Sequence, residues 1–396
     1  MTVQERTAVD EAEELRGVRR RLHSIAELRF TEHRTGAEIE SLLDGWVDSL
    51  TTGVAGTGLI ARIGGDAPGP RVLLRADMDA YPVQEVNDLP YASTTPGVSH
   101  ACGHDAHMTV MVGVLRRLAA HRPERGSVEV LFQPAEEIPF GQPSGARGVL
   151  ESGALQDSYD AVLGLHCWPN LEAGSVGVDP KIAMAAKDAF RMVARGRASH
   201  AATPGLGRDA LLAMSDLVTS LHAVIARRRN PDEMVALNVG TISGGASQSQ
   251  VPEEVAITGT LRTHDPVVRA TCKQTIAQLC EGVGRAHDVT IELTWADEMP
   301  SLVNAHALVE LAREVGPEVC DLVDLPKPPL TTDDFALLAE RWPGLYLKLG
   351  VAEPGRSGTR ALHSGDFDID ERCLTTGVDM MERLTRAVLS TDERNR

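Results

Sequence analysis

Eight consecutive residues, from His100 to His107, contain three histidines, one cysteine and one aspartate. Burying this many polar groups is costly unless something compensates them, and a divalent metal ion is a common compensation. The C-x-H pair of Cys102 and His104 suits a loop in which alternate residues face one centre. A solvated helix cap with incidental histidines is the alternative that this segment alone leaves open.

Two further segments place carboxylates directly after predicted strands. Asp77 and Asp79 follow one short apolar run, and Glu136 and Glu137 follow the next. In open α/β sheets, ligands bind at the carboxyl ends of the strands. Adjacent carboxylates repel each other, so a buried pair implies a nearby cation or two tasks, such as metal binding and general base catalysis. Taken alone, each segment is also explained by a capped turn or a surface loop.

Two isolated histidines, His166 and His363, add to these segments. A lone histidine is usually structural or exposed, but here four strand ends would bring metal-competent side chains to one edge of one sheet. Five such side chains exceed the three protein ligands of an open catalytic zinc site and suggest two metals that share a ligand. The five are Cys102, His104, Glu137, His166 and His363.

Motifs of several other enzyme classes are missing. The sequence has no G-x-S-x-G nucleophile elbow, no H-E-x-x-H, no Walker loop and no G-x-G-x-x-G. The sequence therefore contains no motif that supports assignment to the serine hydrolases, the zincins or the nucleotide-binding enzymes. A cysteine hydrolase with Cys102 as nucleophile and a nearby histidine as base stays open.

The formal net charge is −17, from 39 basic and 56 acidic side chains. Because no excess of cations can neutralise phosphates, nucleic acid and anionic membranes are not expected as partners. The N-terminal residues lack the apolar stretch of a signal peptide, apolar runs are too short for a membrane span, and the six cysteines form no disulfide framework. We therefore expect a soluble, cytoplasmic protein with reduced thiols.

Short apolar runs alternate with helical patterns in the first half of the chain, which indicates an α/β layered domain. A later group in the order βαββαβ is typical of a ferredoxin-like sandwich. Two domains are expected at 396 residues, since single cores stop growing near about 250–300 residues. We predict a catalytic domain of residues 1–186 and 298–396 with an inserted domain of residues 187–297.

Five segments occur along the chain in the order RADMDAYPVQE, HACGHDAH, QPAEE, LGLHCWP and LHSGDFDIDE. Together they resemble the M20 metallopeptidase family, especially its amidohydrolase branch, which includes N-acyl-amino-acid, hippurate and auxin-conjugate hydrolases. The resemblance implies a zinc-peptidase-like α/β catalytic domain with an inserted lid domain through which two chains form a homodimer. This fold agrees with the insertion predicted from the order of elements.

The resemblance also implies roles for single residues. Cys102 would bridge two divalent ions, zinc or manganese with cobalt also admitted, and Glu136 would be the general base. The other ligands of these ions would be His104, Glu137, His166 and His363. Asp79 would orient the metal site, His200 would reach the partner subunit's active site and polarise the scissile carbonyl, and Arg262 would bind a substrate carboxylate.

Three departures from the family pattern lie outside the ligand set. Ala26 stands where the family has proline, Gly205 where it has histidine, and Ser249 where an asparagine would contact substrate. The chemistry is therefore expected to be intact, and the departures bear on substrate choice. The implied reaction is hydrolysis of the amide bond of a small N-acyl amino acid or related conjugate. The alternatives are a dipeptidase or aminopeptidase with the same metals, and a non-catalytic dimeric binding protein.

Overall fold

The computed structural model describes residues 3–139 and 141–391. Within these ranges the helices are α1 (Val3–Ser24), α2 (His33–Leu43), α3 (His104–Ala120), α4 (Gly145–Ser152), α5 (Ala210–Arg228), α6 (Pro266–His287), α7 (His306–Val315), α8 (Phe335–Arg341) and α9 (Cys373–Ser390). The strands are β1 (Ser49–Val54), β2 (Gly58–Gly64), β3 (Ala67–Asp77), β4 (Arg125–Gln133), β5 (Ala161–Glu172), β6 (Ser175–Val178), β7 (Ile182–Met184), β8 (Ala186–Arg195), β9 (Ser199–His200), β10 (Val235–Gly244), β11 (Gln250–Val251), β12 (Glu254–Thr263), β13 (Thr290–Met299), β14 (Leu302–Val303), β15 (Asp321–Asp324) and β16 (Gly344–Ala352).

An eight-stranded sheet in the order β1-β2-β4-β3-β5-β16-β6-β15 forms the centre of the molecule. Its middle strands β4, β3, β5 and β16 run parallel. Successive side chains pack on opposite faces: Leu74 contacts the core formed with α1, α3 and α9, and Leu73 the core formed with α4 and α8. Burial on both faces explains why these strands are continuous apolar runs. The predicted α/β class is confirmed.

Helix α3 begins at His104 rather than at His107, where the apolar periodicity predicts its start. Gly103 precedes it in the left-handed conformation, with φ of 84°. A side chain there would be strained, and its Cβ would lie 2.7 Å from Sγ of Cys167. The turn leaves Cys102 just before the helix and His104 in its first turn.

Residues 186–299 contain a second layered unit. Strands β8, β10, β12 and β13 form an antiparallel sheet in the order β10-β12-β8-β13, and α5 and α6 pack on one face. Apart from the short pair β9 and β11, the chain order is βαββαβ. Among the described residues, α5 alone is long and apolar enough to cross a membrane, and its buried side chains pack against this sheet. The domain boundaries at 187 and 297 stay a prediction.

The structure differs from the predicted elements in three places that matter. The sequence pattern predicts a second helix over residues 35–50, but α2 ends at Leu43 because Gly45, with φ of 74°, turns the chain toward β1. The hairpin of β1 and β2 has no counterpart in the sequence prediction. Strand β5 continues past His166 to Glu172, so that His166 lies within the strand and not at its end.

Candidate metal centre and active site

A cleft with a cavity volume of about 310 Å³ lies between the central sheet and the strands β8, β12 and β13. Several predicted site residues line it: Cys102, Glu136, Glu137, His166, Arg262 and His363. His104 is fully buried beside them, in contact range of Cys102 and His166. The turn before α3, the first residue of α3, the loops after β4 and β16 and the strand β5 thus bring the predicted metal-competent side chains to one place.

Cys102 belongs to two groups of potential metal ligands. Its Sγ lies 3.4 Å from Nε2 of His166 and 3.2 Å from Nε2 of His363. The ligand atoms of Cys102, His104 and His166 lie within 4.8 Å of one another. The same is true of Cys102, Glu137 and His363. One thiol therefore joins two three-residue groups, an arrangement suited to a ligand shared by two ions.

Two histidines have the tautomer that metal binding requires. Nδ1 of His104 donates to the backbone carbonyl of Asp79 at 2.7 Å, and Nδ1 of His166 donates to that of Cys167 at 2.8 Å. In the neutral form of each ring the Nε2 lone pair is then free, and Nε2 of His104 is buried without any hydrogen-bond partner. A carbonyl that fixes the far nitrogen is the usual support of a ligating histidine. This donor set fits divalent metal ions.

The other histidines of the segment are not arranged as ligands. Nε2 of His107 accepts from the backbone N–H of Cys167 at 2.8 Å, so its Nδ1 carries the proton and donates to Asp77 at 2.6 Å. Burial lowers the pKa of His100 to about 3, which keeps that ring neutral. Both ring nitrogens of His100 lack a hydrogen-bond partner, but among the three histidines of the segment only His104 groups with ligand atoms of residues that line the cleft.

Asp105 anchors α3 to the first helix. Its Oδ2 lies 2.8 Å from Nε of Arg19 and 2.7 Å from Nδ1 of His23. Burial works to lower the pKa of His23, but Asp105 and hydrogen bonds to Asp105 and Glu85 outweigh it and raise that pKa above its usual value. The raised pKa favours the charged form of His23 between Asp105 and Glu85, and these contacts hold the segment that carries the ligands.

Two buried carboxylates clamp the loop after β4. Glu32 accepts from the backbone N–H of Ala135 at 2.9 Å. Asp79 accepts from the N–H of Glu136 with one oxygen and from that of Glu137 with the other, both at 2.9 Å. Ala135 has φ of 52°, a conformation that non-glycine residues rarely adopt. Three consecutive amides are thus held, which fixes both glutamates at the cleft.

His363 is also held in a strained backbone conformation, with φ of 64°. Its backbone N–H donates to the carbonyl of Ala101 at 2.8 Å. Its ring stacks on Tyr81 with the centroids 3.9 Å apart, and Nε2 lies 2.6 Å from Oε1 of Glu137. The backbone tie and the stacked ring together direct the imidazole toward Cys102.

Burial and neighbouring charges together shift the pKa values of the site residues. The pKa of the Cys102 thiol lies well above its usual value because burial, then Glu137 and Glu136, disfavour a thiolate. Burial and Glu137 likewise raise the pKa of Glu136 well above its usual value. Burial works to lower the pKa of His104, but Asp77 and other partners raise it to about 10. A bound cation would reverse these preferences, because it stabilises the deprotonated ligands.

Arg75 compensates a group of buried acids behind Glu136. Its guanidinium contacts Asp77 at 2.6 Å, Asp334 at 2.7 Å and Asp333 at 3.3 Å. Carboxylate oxygens of Glu136, Asp333 and Asp334 lie within 4.8 Å of one another. Loss of the arginine would leave these charges buried without a partner, which is strongly destabilising.

His200 and Ser249 lie apart from the cleft. Both are exposed, at the short strand pair β9 and β11. Nδ1 of His200 accepts from a nearby backbone N–H at 3.0 Å, so its Nε2 carries the proton and is a potential donor. The structure therefore brings together the five predicted ligands, Glu136 and Arg262, but not His200 or Ser249.

Three residues that shape the site are absent from the sequence prediction: Glu32, Tyr81 and Arg75. Glu32 is 103 positions away from the amide that it holds, and no local pattern marks such a contact. No local pattern marks the stacking of the Tyr81 ring on His363 either. Arg75 does carry a signal, since an arginine inside an apolar strand requires a buried acidic partner.

Residues 73–387 match the model of peptidase family M20/M25/M40. The chain belongs to this family. It is 34% identical over 384 residues to an N-acetyl-L-cysteine deacetylase of Bacillus subtilis (strain 168), covering 97% of this chain and 90% of the relative. It is 31% identical over 374 residues to an N-acetyldiaminopimelate deacetylase of Bacillus velezensis, covering 94% and 97%. The crystal structure of a dinuclear metal-binding M20 peptidase from Bacillus subtilis superposes with a TM-score of 0.84 at 30% identity, covering 97% of this chain and 99% of that one.

The resemblance predicted from the five segments is confirmed by these matches. As an M20 protein with deacetylase relatives along nearly its whole length, the chain is a hydrolase that acts on amide bonds. The dinuclear neighbour and the ligand groups of the cleft support divalent metal ions as its cofactors. A non-catalytic binding protein is not supported.

Proposed function

We propose that this M20 enzyme hydrolyses the amide bond of N-acyl amino acids and related conjugates in the cleft around Cys102. The observation that carries the proposal is that two ligand-competent groups share this thiol beside Glu136. The proposed ligands of two divalent ions, zinc or manganese, are Cys102, His104, Glu137, His166 and His363. Thiolate and imidazole suit zinc, whereas carboxylate also admits manganese or cobalt. When bound, such ions lower the pKa of a coordinated water toward neutrality and polarise a carbonyl.

Glu136 is the proposed proton carrier. Its carboxylate accepts the proton of the attacking water and returns it to the leaving nitrogen, so that the products are a carboxylic acid and an amine. Two features support this role. Asp79 fixes the backbone of Glu136 at the cleft, and a carboxylate oxygen of Glu136 lies within 4.8 Å of ligand atoms of His104 and Glu137.

The rival role of Cys102 as a nucleophile is less well supported. A reactive cysteine needs a lowered pKa and access to solvent, whereas Cys102 is buried and its pKa is raised. The rings of His166 and His363 both direct Nε2 at its sulfur, which suits a shared metal site better than a single general base.

Arg262 is proposed to bind the α-carboxylate of the amino acid part. Its guanidinium lines the same cleft as the ligands, and its planar fork suits a carboxylate. The names of the two deacetylase relatives both describe an acetyl group on an amino acid, which supports a short acyl chain and an amino acid product.

His200 and Ser249 are proposed to act in the cleft of a second copy of the chain. Both are exposed and outside the cleft of their own chain, and the Nε2 proton of His200 could be donated to an oxyanion. A homodimer in which residues 187–297 make the contact would place them there. Dimerisation and cytoplasmic location stay predictions.

The direct test is hydrolysis by the chain reconstituted with zinc or manganese. N-acetyl-L-amino acids and N-benzoylglycine are compared with unblocked dipeptides, and amine release is measured. We expect turnover of the acylated substrates, sensitivity to chelators, and a loss of roughly 10²–10⁴-fold in Glu136→Gln with its metal content unchanged. Glu151→Gln, a change at an exposed position of α4, is the matched control.

Three results would change the proposal. A metal-loaded protein that cleaves no amide would refute it. Strict preference for a free α-amine would move the assignment to a dipeptidase or aminopeptidase. Loss of activity on alkylation together with resistance to chelators would favour a cysteine nucleophile.

A further inference from the structure

Two cations, Lys187 and Arg262, lie side by side in the wall of the cleft. They are direct partners in the antiparallel register of β8 and β12, and both line the cavity that contains the proposed ligands. Residues paired in this way have Cβ atoms about 4.5–5.5 Å apart on one face of the sheet. Like charges at this separation destabilise the sheet unless an anion compensates them.

The described part of the chain supplies no such anion. No carboxylate of residues 3–139 or 141–391 forms an ion pair with either side chain. Nη1 of Arg262 donates only to the backbone carbonyl of Leu330, at 2.8 Å. Burial without a carboxylate partner lowers the pKa of Arg262 below its usual value. Both cations are therefore available to a ligand.

Two acids, on β8 and on its neighbouring strand β13, make other contacts. Asp188 points to the opposite face, where it binds Arg269 with two bonds of 2.8 Å and Lys273 at 3.0 Å. Phe190, two residues further along β8, packs on that same face against α5 and α6. Asp297, which also lines the cleft, accepts from the backbone N–H of Gly141 at 3.0 Å. The alternation of β8 thus separates Lys187 from its neighbouring carboxylate.

We propose that Lys187 is a specificity residue that selects N-acyl derivatives of dicarboxylic amino acids. Arg262 binds the α-carboxylate and Lys187 the side-chain carboxylate. The inference rests on the proposed function, which assigns the α-carboxylate to Arg262. Aspartate and glutamate carry two carboxylates a few bonds apart, which matches two cations on directly paired positions. The planar guanidinium of Arg262 suits the α-carboxylate, whose position is fixed. The flexible side chain of Lys187 suits the side-chain carboxylate, whose distance from the α-carbon differs between aspartate and glutamate.

The test compares N-acetyl-L-glutamate with N-acetyl-L-glutamine, which has the same shape without the second charge. In the zinc-loaded or manganese-loaded enzyme we expect kcat/KM to favour the glutamate. Lys187→Met should lower kcat/KM for the glutamate by roughly 10-fold to 100-fold, the effect of one charged hydrogen bond, and leave the glutamine nearly unchanged. Lys181→Met, at an exposed position outside the cleft, is the matched control. Lys187→Glu is a second variant and should invert the preference.

A binding measurement separates this inference from the proposed function. Calorimetry on the metal-loaded Glu136→Gln chain gives the Kd of both compounds without turnover. A Lys187-dependent preference for the glutamate in binding, with no hydrolysis by the wild type, would uphold the subsite and refute the proposed reaction. Hydrolysis with equal kcat/KM for both compounds, or an equal loss for both in Lys187→Met, would overturn the subsite and leave the reaction standing.

Discussion

Replacement of Asp79 by asparagine tests the clamp that holds the two glutamates. The carboxylate accepts one backbone N–H with each oxygen, from Glu136 and Glu137, at 2.9 Å. Asparagine keeps the shape but offers one acceptor and one NH₂ group, so one N–H loses its acceptor and faces a donor. The loss of one such bond in a buried site costs about 1–3 kcal/mol. Because Nδ1 of His104 donates to the backbone carbonyl of residue 79, that contact survives.

The larger effect is expected in catalysis. A shift of Glu136 by about 1 Å lowers kcat/KM by roughly 100-fold, whereas the protein remains folded. The assay combines thermal denaturation, metal content and hydrolysis of an N-acetyl amino acid. Asp48→Asn is the matched control, since Asp48 also accepts a backbone N–H, from Gly64 at 2.7 Å, but is exposed and outside the cleft. Wild-type kcat/KM in Asp79→Asn, or an equal loss in the control, would refute the positioning role.

Three further outcomes are expected. Gly103→Ala, which strains a left-handed residue and drives a Cβ into a buried thiol, should lower both thermal stability and metal retention, whereas Gly282→Ala, where a Cβ meets no atom within 4 Å, should not. Burial works to lower the pKa of His23, but the neighbouring carboxylates raise it above its usual value. The stabilisation from its charged form is therefore complete below about pH 6.5 and is lost as pH rises through the raised pKa. Thermal stability should fall as pH rises above about 6.5, and the profile of His23→Gln should be flatter. Mixing His200→Ala with Glu136→Ala chains should restore part of the activity, and no recovery in verified heterodimers would exclude a shared site.

Much of the fold and of the candidate site follows from local patterns. The parallel strands are continuous apolar runs, and polar residues follow the ends of β3 and β4, so the convergence of Cys102, His104 and Glu137 was predictable from the order of elements alone. His166 is a partial exception, since it lies inside β5 and reaches the cleft because its side chain projects from one face of the strand.

The remaining features depend on contacts between distant parts of the chain. The Glu32 clamp and the Tyr81 stack bring together residues that no period or spacing relates. The pairing of Lys187 with Arg262 depends on the register between β8 and β12, which are separated along the chain by α5 and the strands β9, β10 and β11. A one-residue change in that register would place the two cations on opposite faces, so the sequence alone could not predict their proximity.

The most direct test of a shared-thiol metal centre is the metal content per chain of the reconstituted and dialysed protein, measured by plasma mass spectrometry. Wild type is compared with Cys102→Ala and with Cys320→Ala, which removes a half-buried thiol away from the cleft. We predict about two ions per chain in the wild type and in the control, and clearly fewer in Cys102→Ala, because both ions lose a ligand. A wild type that retains no metal, or a Cys102→Ala chain that retains as much as the wild type, would contradict the proposed centre.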